Sequence, residues 1–227
     1  ASTGYYNPTT LSRSNSMAKN NDFVIYEILE DEIPFTEAEI VDLFNLKTKK
    51  TTTLKFPADH VVTDWTPDGK ALLTMSNRLF DDKRGSVHRM PLDGSEGTRL
   101  TDAAVAAEGG RLSPDGKRML FNRIVFGDPK GRKLTVLDLD TGKTAEVGGT
   151  PANGGLRVNG TNVACCWSPD GKRIAYVWRE LDEPGDDPKK MYEARLIVCD
   201  PDGKNAKTIS TARDTRSIVT IGAVDWR

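Results

Sequence analysis

The chain of 227 residues carries 32 Lys and Arg against 33 Asp and Glu, a formal net charge of −1, with 37% hydrophobic and 29% charged residues. Charge this balanced argues against nucleic-acid binding, which needs a strongly basic face. No apolar run of 18 residues is present to cross a membrane as a helix. The length allows one good core or two small ones. The sequence as it stands shows no secretory signal, and a start at Ala1 rather than Met is expected for a processed or excised chain. Its three cysteines, Cys165, Cys166 and Cys199, are too few and too odd in number for a disulfide framework. They read as small buried thiols.

Residues 1–21 are rich in Ser, Thr and Asn and form a polar extension, expected to dock through Tyr5, Tyr6 and Leu11. Phe23–Leu29 is β-branched and aromatic and reads as a strand. An acidic loop comes next. Ala38–Asn45 shows strand patterning, and Glu37–Phe44 also scores as helix; strand is favoured because the pattern recurs later. Thr51–Phe56 is the next strand. Then come Val61–Trp65, Ala71–Asn77, Gly85–Met90 and Thr98–Thr101. A second round runs through Arg111–Leu112, Met119–Asn122, Leu134–Leu139 and Thr144–Val147. A third runs through Asn162–Trp167, Ile174–Trp178, Ala194–Cys199 and Ala206–Ser210. Ile218–Trp226 ends the series.

One phrase punctuates this series. It reads Trp65-Thr66-Pro67-Asp68-Gly69-Lys70, then Leu112-Ser113-Pro114-Asp115-Gly116-Lys117, then Trp167-Ser168-Pro169-Asp170-Gly171-Lys172. Pro presets φ near −65°, Asp tolerates the second central position, and Gly takes the left-handed conformation that closes a hairpin. The prolines lie 47 and 55 residues apart. Periods near 40–50 with four strands per unit are the mark of a β-propeller. The longer third unit carries its extra residues in one loop, 180–190.

The phrase W/L-[ST]-P-D-G-K before an apolar strand resembles the PD40, or TolB-like, β-propeller repeat, and Arg99-Leu100-Thr101 is similar to that family's blade ending. The resemblance covers residues 57–211 as whole repeats. The second repeat departs by placing Leu112 where the others have Trp. The expected architecture is all-β, with residues 22–227 forming one propeller of four-stranded antiparallel blades. Blade 1 takes residues 22–56 plus 218–227, blade 2 takes 57–104, blade 3 takes 105–150 and blade 4 takes 158–212. Residues 23–56 supply the later strands of a blade without the phrase or the strand before it. Residues 218–226 supply only such a first strand. The last strand is therefore expected to complete the first blade and close a ring of four. The resemblance implies six blades instead, and the rival reading is a segment of a larger ring.

The repeat register also singles out candidate functional residues. Innermost strands line a propeller axis, and the residues just before each Trp or Leu of the phrase are Asp225, Asp64, Arg111 and Cys166. Asp64 and Arg111 are expected to meet across neighbouring blades. Arg78, Arg123 and Arg179 end the second strands and could form one basic face for an acidic peptide or anion. Asp200, Asp202 and Asn205 imitate part of a calcium loop, but Thr211 cannot supply the acid expected at position twelve, so a hairpin turn is favoured. His60 and His88 are the only histidines and stand at no ligand spacing. No Gly-x-Ser-x-Gly elbow is present. The expectations are therefore no metal, no cofactor and no catalysis. The resemblance implies a protein or peptide partner bound on one ring face or in the channel, and an extracytoplasmic location, with a cytoplasmic one as the alternative. The alternative functions are a small-ligand or glycan-binding propeller, or the accessory propeller of a larger enzyme.

Overall fold

The computed structural model describes residues 23–27, 39–56, 60–76, 85–125, 132–147, 165–179, 192–214 and 226. Their regular structure is all β. The strands are β1 (Phe23–Glu27), β2 (Glu39–Asn45), β3 (Thr51–Phe56), β4 (His60–Trp65), β5 (Ala71–Ser76), β6 (Ser86–Pro91), β7 (Thr98–Arg99) and β8 (Ala106–Leu112). They continue with β9 (Arg118–Ile124), β10 (Arg132–Asp138), β11 (Thr144–Glu146), β12 (Cys165–Trp167), β13 (Ile174–Arg179), β14 (Tyr192–Cys199) and β15 (Lys207–Asp214). The ambiguous stretch around Glu39–Asn45 is a strand, paired antiparallel with β1 on one side and β3 on the other.

The strands form four antiparallel meanders. Three are four-stranded, β4 to β7, β8 to β11 and β12 to β15, and the first is three-stranded, β1 to β3. Each keeps chain order, so strands that follow one another in the chain pair as neighbours in the sheet. The strand expected to close the first sheet, residues 218–226, lies outside the described residues apart from Trp226. The 1–21 extension and the 180–190 insertion lie outside them too.

The sheets are joined by three apolar layers, and each layer draws on two successive sheets. Leu43 and Leu54 meet Val62, Trp65 and Leu72 between the first two. Val87 meets Ala107, Met119, Phe121 and Leu137 between the second and third. Leu120, Leu134 and Val136 meet Cys165, Trp167, Ile174, Tyr176, Trp178 and Ile197 between the third and fourth. The two-residue alternation of a strand makes this possible. On β9, Met119 and Phe121 serve one layer and Leu120 the other. A blade sandwiched on both faces needs apolar residues in both registers, and β5 is buried at all six positions. This is the layered packing of a propeller.

The repeated phrase forms the turn from first to second strand in three blades. Gly69, Gly116 and Gly171 have φ of 66°, 71° and 66°, a region costly for any residue with a Cβ. The organising atom is the hydroxyl that opens the turn. Thr66, Ser113 and Ser168 donate to Asp68, Asp115 and Asp170 at 2.5, 2.5 and 2.6 Å. The same oxygens accept the amide N–H of Ala71, Arg118 and Arg173 at 3.0, 3.0 and 2.9 Å. The carboxylates also accept the N–H of Lys70, Lys117 and Lys172.

These hydrogen bonds, the hydroxyl's first and the amide's second, hold all three aspartates below the ordinary aspartate range. A depressed native pKa stabilises the fold above the unfolded value and loses that contribution as pH falls through the native one. Thermal stability should therefore drop below about pH 4, the ordinary carboxylate range. The triple variant Asp68→Asn/Asp115→Asn/Asp170→Asn should show a flatter curve there. Parallel melting-temperature profiles of the two proteins provide the check, and superimposable acid limbs would remove these turns as acid-sensitive elements.

Candidate functional site at the inner strands

In the second and third sheets the first strand is where the ladder becomes irregular. In β4, Val62 pairs with Thr74 but Asp64 pairs with Leu73, so Thr63 is an extra residue. In β8, Glu108 pairs with Asn122 and Arg111 with Leu120, so Gly109 and Gly110 together oppose one residue. Both are β-bulges, which re-aim the side chains beyond them. Gly109 adopts φ of 69°, and its N–H points at the Met75 sulfur, 3.1 Å away. Gly110 lies so close to the second sheet that a Cβ would sit 2.8 Å from Val87 Cγ1.

The bulges bring Asp64 and Arg111 together. Arg111 Nη1 lies 3.5 Å from Asp64 Oδ2, with side chains 21% and 17% exposed. The same guanidinium nitrogen donates to the Thr63 carbonyl, and Asp64 Oδ1 accepts the Trp65 N–H at 2.8 Å. The expected inter-blade pair is thus present, held at both ends by backbone. A second inter-blade link adjoins it: Trp167 Nε1 donates to the Arg111 carbonyl at 3.0 Å. Arg118 lies over the Trp167 ring at 4.7 Å and donates to the Gly171 carbonyl at 2.8 Å. The first strands of three blades are therefore stitched through Asp64, Arg111 and Trp167.

The remaining predicted residues fare differently. Cys166 is buried in β12. Asp225 and Arg78 lie outside the described residues, as does the Arg179 side chain. Arg123 is exposed on β9, opposite Lys133 of β10. It stands nine residues past Pro114, while Arg179 stands ten past Pro169. The arginines do not share one repeat position.

All three cysteines are buried thiols outside any disulfide. Burial pushes the Cys165 thiol far up, and it pushes Cys199 up to about 11, with Asp200 and Asp202 adding to the effect. Both remain protonated and act as packing groups. Residues 200–205 form the β14–β15 turn, where Asn205 donates to Asp200 at 2.5 Å and the Lys204 ammonium pairs with Asp202 at 2.8 Å.

The ladder brings the two histidines together. Twenty-eight residues apart in the chain, His60 and His88 stand with ring centres 4.6 Å apart. Sequence spacing could not show this, because β4 and β6 become neighbours only through β5. Ser86 Oγ lies 2.7 Å from His88 Nε2 and 2.9 Å from Ser76 Oγ. Ser86 is buried and shared between two partners, the setting of a structural network rather than of an exposed nucleophile.

No family model matches the chain. The uncharacterized protein Atu1656 of Agrobacterium fabrum is 31% identical over 119 residues, half of this chain and 38% of that relative. Among solved structures, TolB from Acinetobacter baumannii superposes with a TM-score of 0.58 at 21% identity, over 85% of this chain and 41% of TolB. A TolB candidate from Agrobacterium tumefaciens gives 0.59 at 19% identity, over 87% of this chain and 64% of its own length. A puromycin-hydrolyzing peptidase from Mycobacterium tuberculosis gives 0.54 at 12% identity, over 86% of this chain and 28% of the peptidase. The chain thus spans less than two thirds of each of these proteins. Its four layered meanders, three of them carrying the repeated hairpin, have the TolB-like β-propeller fold.

Proposed function

We propose that the chain is a non-catalytic interaction module that binds a protein or peptide partner where its inner strands meet. The supporting observation is the Asp64–Arg111 pair. It is carried by bulges on adjacent blades, fixed by backbone hydrogen bonds, and left partly open to solvent. A guanidinium held in this way still has donors to offer, and Arg is the side chain best suited to fork onto a partner's carboxylate. Aligned backbone supports keep its ordering cost low on binding. The location that goes with this reading is extracytoplasmic, as the likeness to TolB implies.

The test is cross-linking and affinity capture from the native source, then titration of the recovered partner. Wild-type protein should cross-link through β4 and β8, and Arg111→Met should weaken binding about tenfold, or 1.4 kcal/mol. Arg123→Ala should leave binding unchanged. Equal affinity for Arg111→Met and wild type would sink this reading. The second reading, an accessory propeller of a larger enzyme, is prompted by the likeness to part of a puromycin-hydrolyzing peptidase, of which the chain covers 28%. It predicts a catalytic domain in the same reading frame.

A further inference from the structure

Asn122 of β9 is fully buried, at 0% exposure. Strand alternation sets its direction. Met119 and Phe121 serve the layer shared with the second sheet and Leu120 the layer shared with the fourth, so Asn122, two residues beyond Leu120, faces the fourth sheet as well. Its ladder partner Leu134 belongs to that same layer. The fourth sheet contributes Trp178, buried in the same cluster. The level of the two residues follows from the hairpin end. There Arg118 lies over the Trp167 ring, and Trp167 pairs with Ile174. Asn122 is four residues on from Arg118, and Trp178 is four on from Ile174. The register therefore puts both at one end of the layer, away from the repeated hairpin.

Both carry hydrogen-bonding atoms that no protein group meets. Neither Oδ1 nor Nδ2 of Asn122 has a partner, and neither has Trp178 Nε1. The face of the Trp178 ring is covered by the Arg195 guanidinium, 4.8 Å from the ring centre, which leaves the indole N–H. Other buried polar groups nearby are satisfied. Trp167 Nε1 donates to the Arg111 carbonyl, and Thr135 Oγ1 donates to the Lys133 carbonyl. A buried amide without a hydrogen bond is costly, and such groups in native proteins find their partner in protein or in ordered water.

The two groups define what can bind them. An indole N–H only donates, so the occupant must accept. The amide oxygen only accepts, so the occupant must also donate. An anion would leave that oxygen unmet, and a cation would leave the indole N–H unmet. We propose that Asn122 and Trp178 hold an internal water between the third and fourth blades, which accepts from Trp178 Nε1–H and hydrogen-bonds the Asn122 amide. Either orientation of the amide serves, because water both gives and takes. Internal waters make about three hydrogen bonds, and these two residues supply three unmet atoms. With Leu120, Leu134 and Tyr176 in the same layer, the water leaves only when the seam between the blades loosens, so its residence time reports that opening. The site does not involve the Asp64–Arg111 pair and is decided separately from the interaction reading.

A crystal structure of the full chain that shows ordered solvent should place a water about 2.7–3.2 Å from Trp178 Nε1 and from an Asn122 amide atom. Magnetic relaxation dispersion of water in solution should count at least one long-lived molecule that Asn122→Leu removes. Exchanging chloride for nitrate should leave that count unchanged. The proposal is overturned if the crystal shows the Asn122 amide bonded to protein groups, or an ion in the water's place. It is overturned equally if Asn122→Leu keeps the full count. Should that variant fail to fold, the wild-type protein decides through the nuclear Overhauser contact between the Trp178 indole proton and water. The contact should carry the sign of a long-lived water, and its absence overturns the proposal.

Discussion

Trp167→Ala should destabilise the protein by about 3–5 kcal/mol, the range for deleting a large buried aromatic. The residue is 6% exposed and sits in the layer between the third and fourth sheets, with Leu120, Val136, Cys165 and Ile174 in the same cluster. Three separate losses coincide. The cavity removes apolar contacts, the Arg111 carbonyl loses its indole donor, and Arg118 loses the ring beneath it. Trp167→Phe separates them: it keeps much of the ring and should cost about 1–3 kcal/mol, the penalty of leaving a buried acceptor without its donor. Denaturant melts of the three proteins provide the check. An Ala variant within about 1 kcal/mol of wild type, well under that range, would show that the layer does not join the blades. Because blades 3 and 4 meet here, the Ala variant should also change the m-value if the fourth sheet opens before the rest.

The second large effect belongs to the bulge in β8. Gly110→Ala should cost about 1–3 kcal/mol from overpacking, since its new methyl would sit 2.8 Å from Val87 Cγ1 and 3.7 Å from both Leu73 Cδ1 and Met119 Sδ. Gly109→Ala acts by another route. Its φ of 69° imposes left-handed strain of about 1–2 kcal/mol. Either change should shift the bulge and separate Arg111 from Asp64. A double-mutant cycle with Arg111→Met and Asp64→Asn measures that coupling, which should be present in wild type and vanish in the Gly110→Ala background. Undiminished coupling there would mean that the bulge does not aim Arg111. Exposed ion pairs usually contribute little, so the value of the cycle lies in its change between backgrounds.

Several structural features are legible in the chain because they repeat. Pro-Asp-Gly between apolar runs locates three hairpins, and the 47-residue spacing locates the blades. The same recurrence identifies the ambiguous stretch before Asn45 as a strand, which it is. The Asp64–Arg111 encounter is legible too, since residues at one repeat position in adjacent blades must lie side by side. Of the arginine set only the Arg123 side chain is described, exposed on β9, and Arg123 and Arg179 differ by one residue in repeat position.

The features that stay hidden share a cause. The hydroxyls of Thr66, Ser113 and Ser168 look interchangeable with any turn residue, and only the folded hairpin shows each one binding a carboxylate and an amide together. The bulges leave no mark beyond a Gly-Gly pair at 109–110. His60 and His88 belong to different hairpins, and their 4.6 Å approach is set by the register of β5 against both neighbours. The amino-acid sequence by itself determined the turns, the strands and the count of layered sheets, because these rest on local dihedral preferences and on a period that local residues repeat. The tertiary structure alone decided which side chains meet across strands and blades, because bulge position and ladder register are fixed by packing between elements distant in the chain.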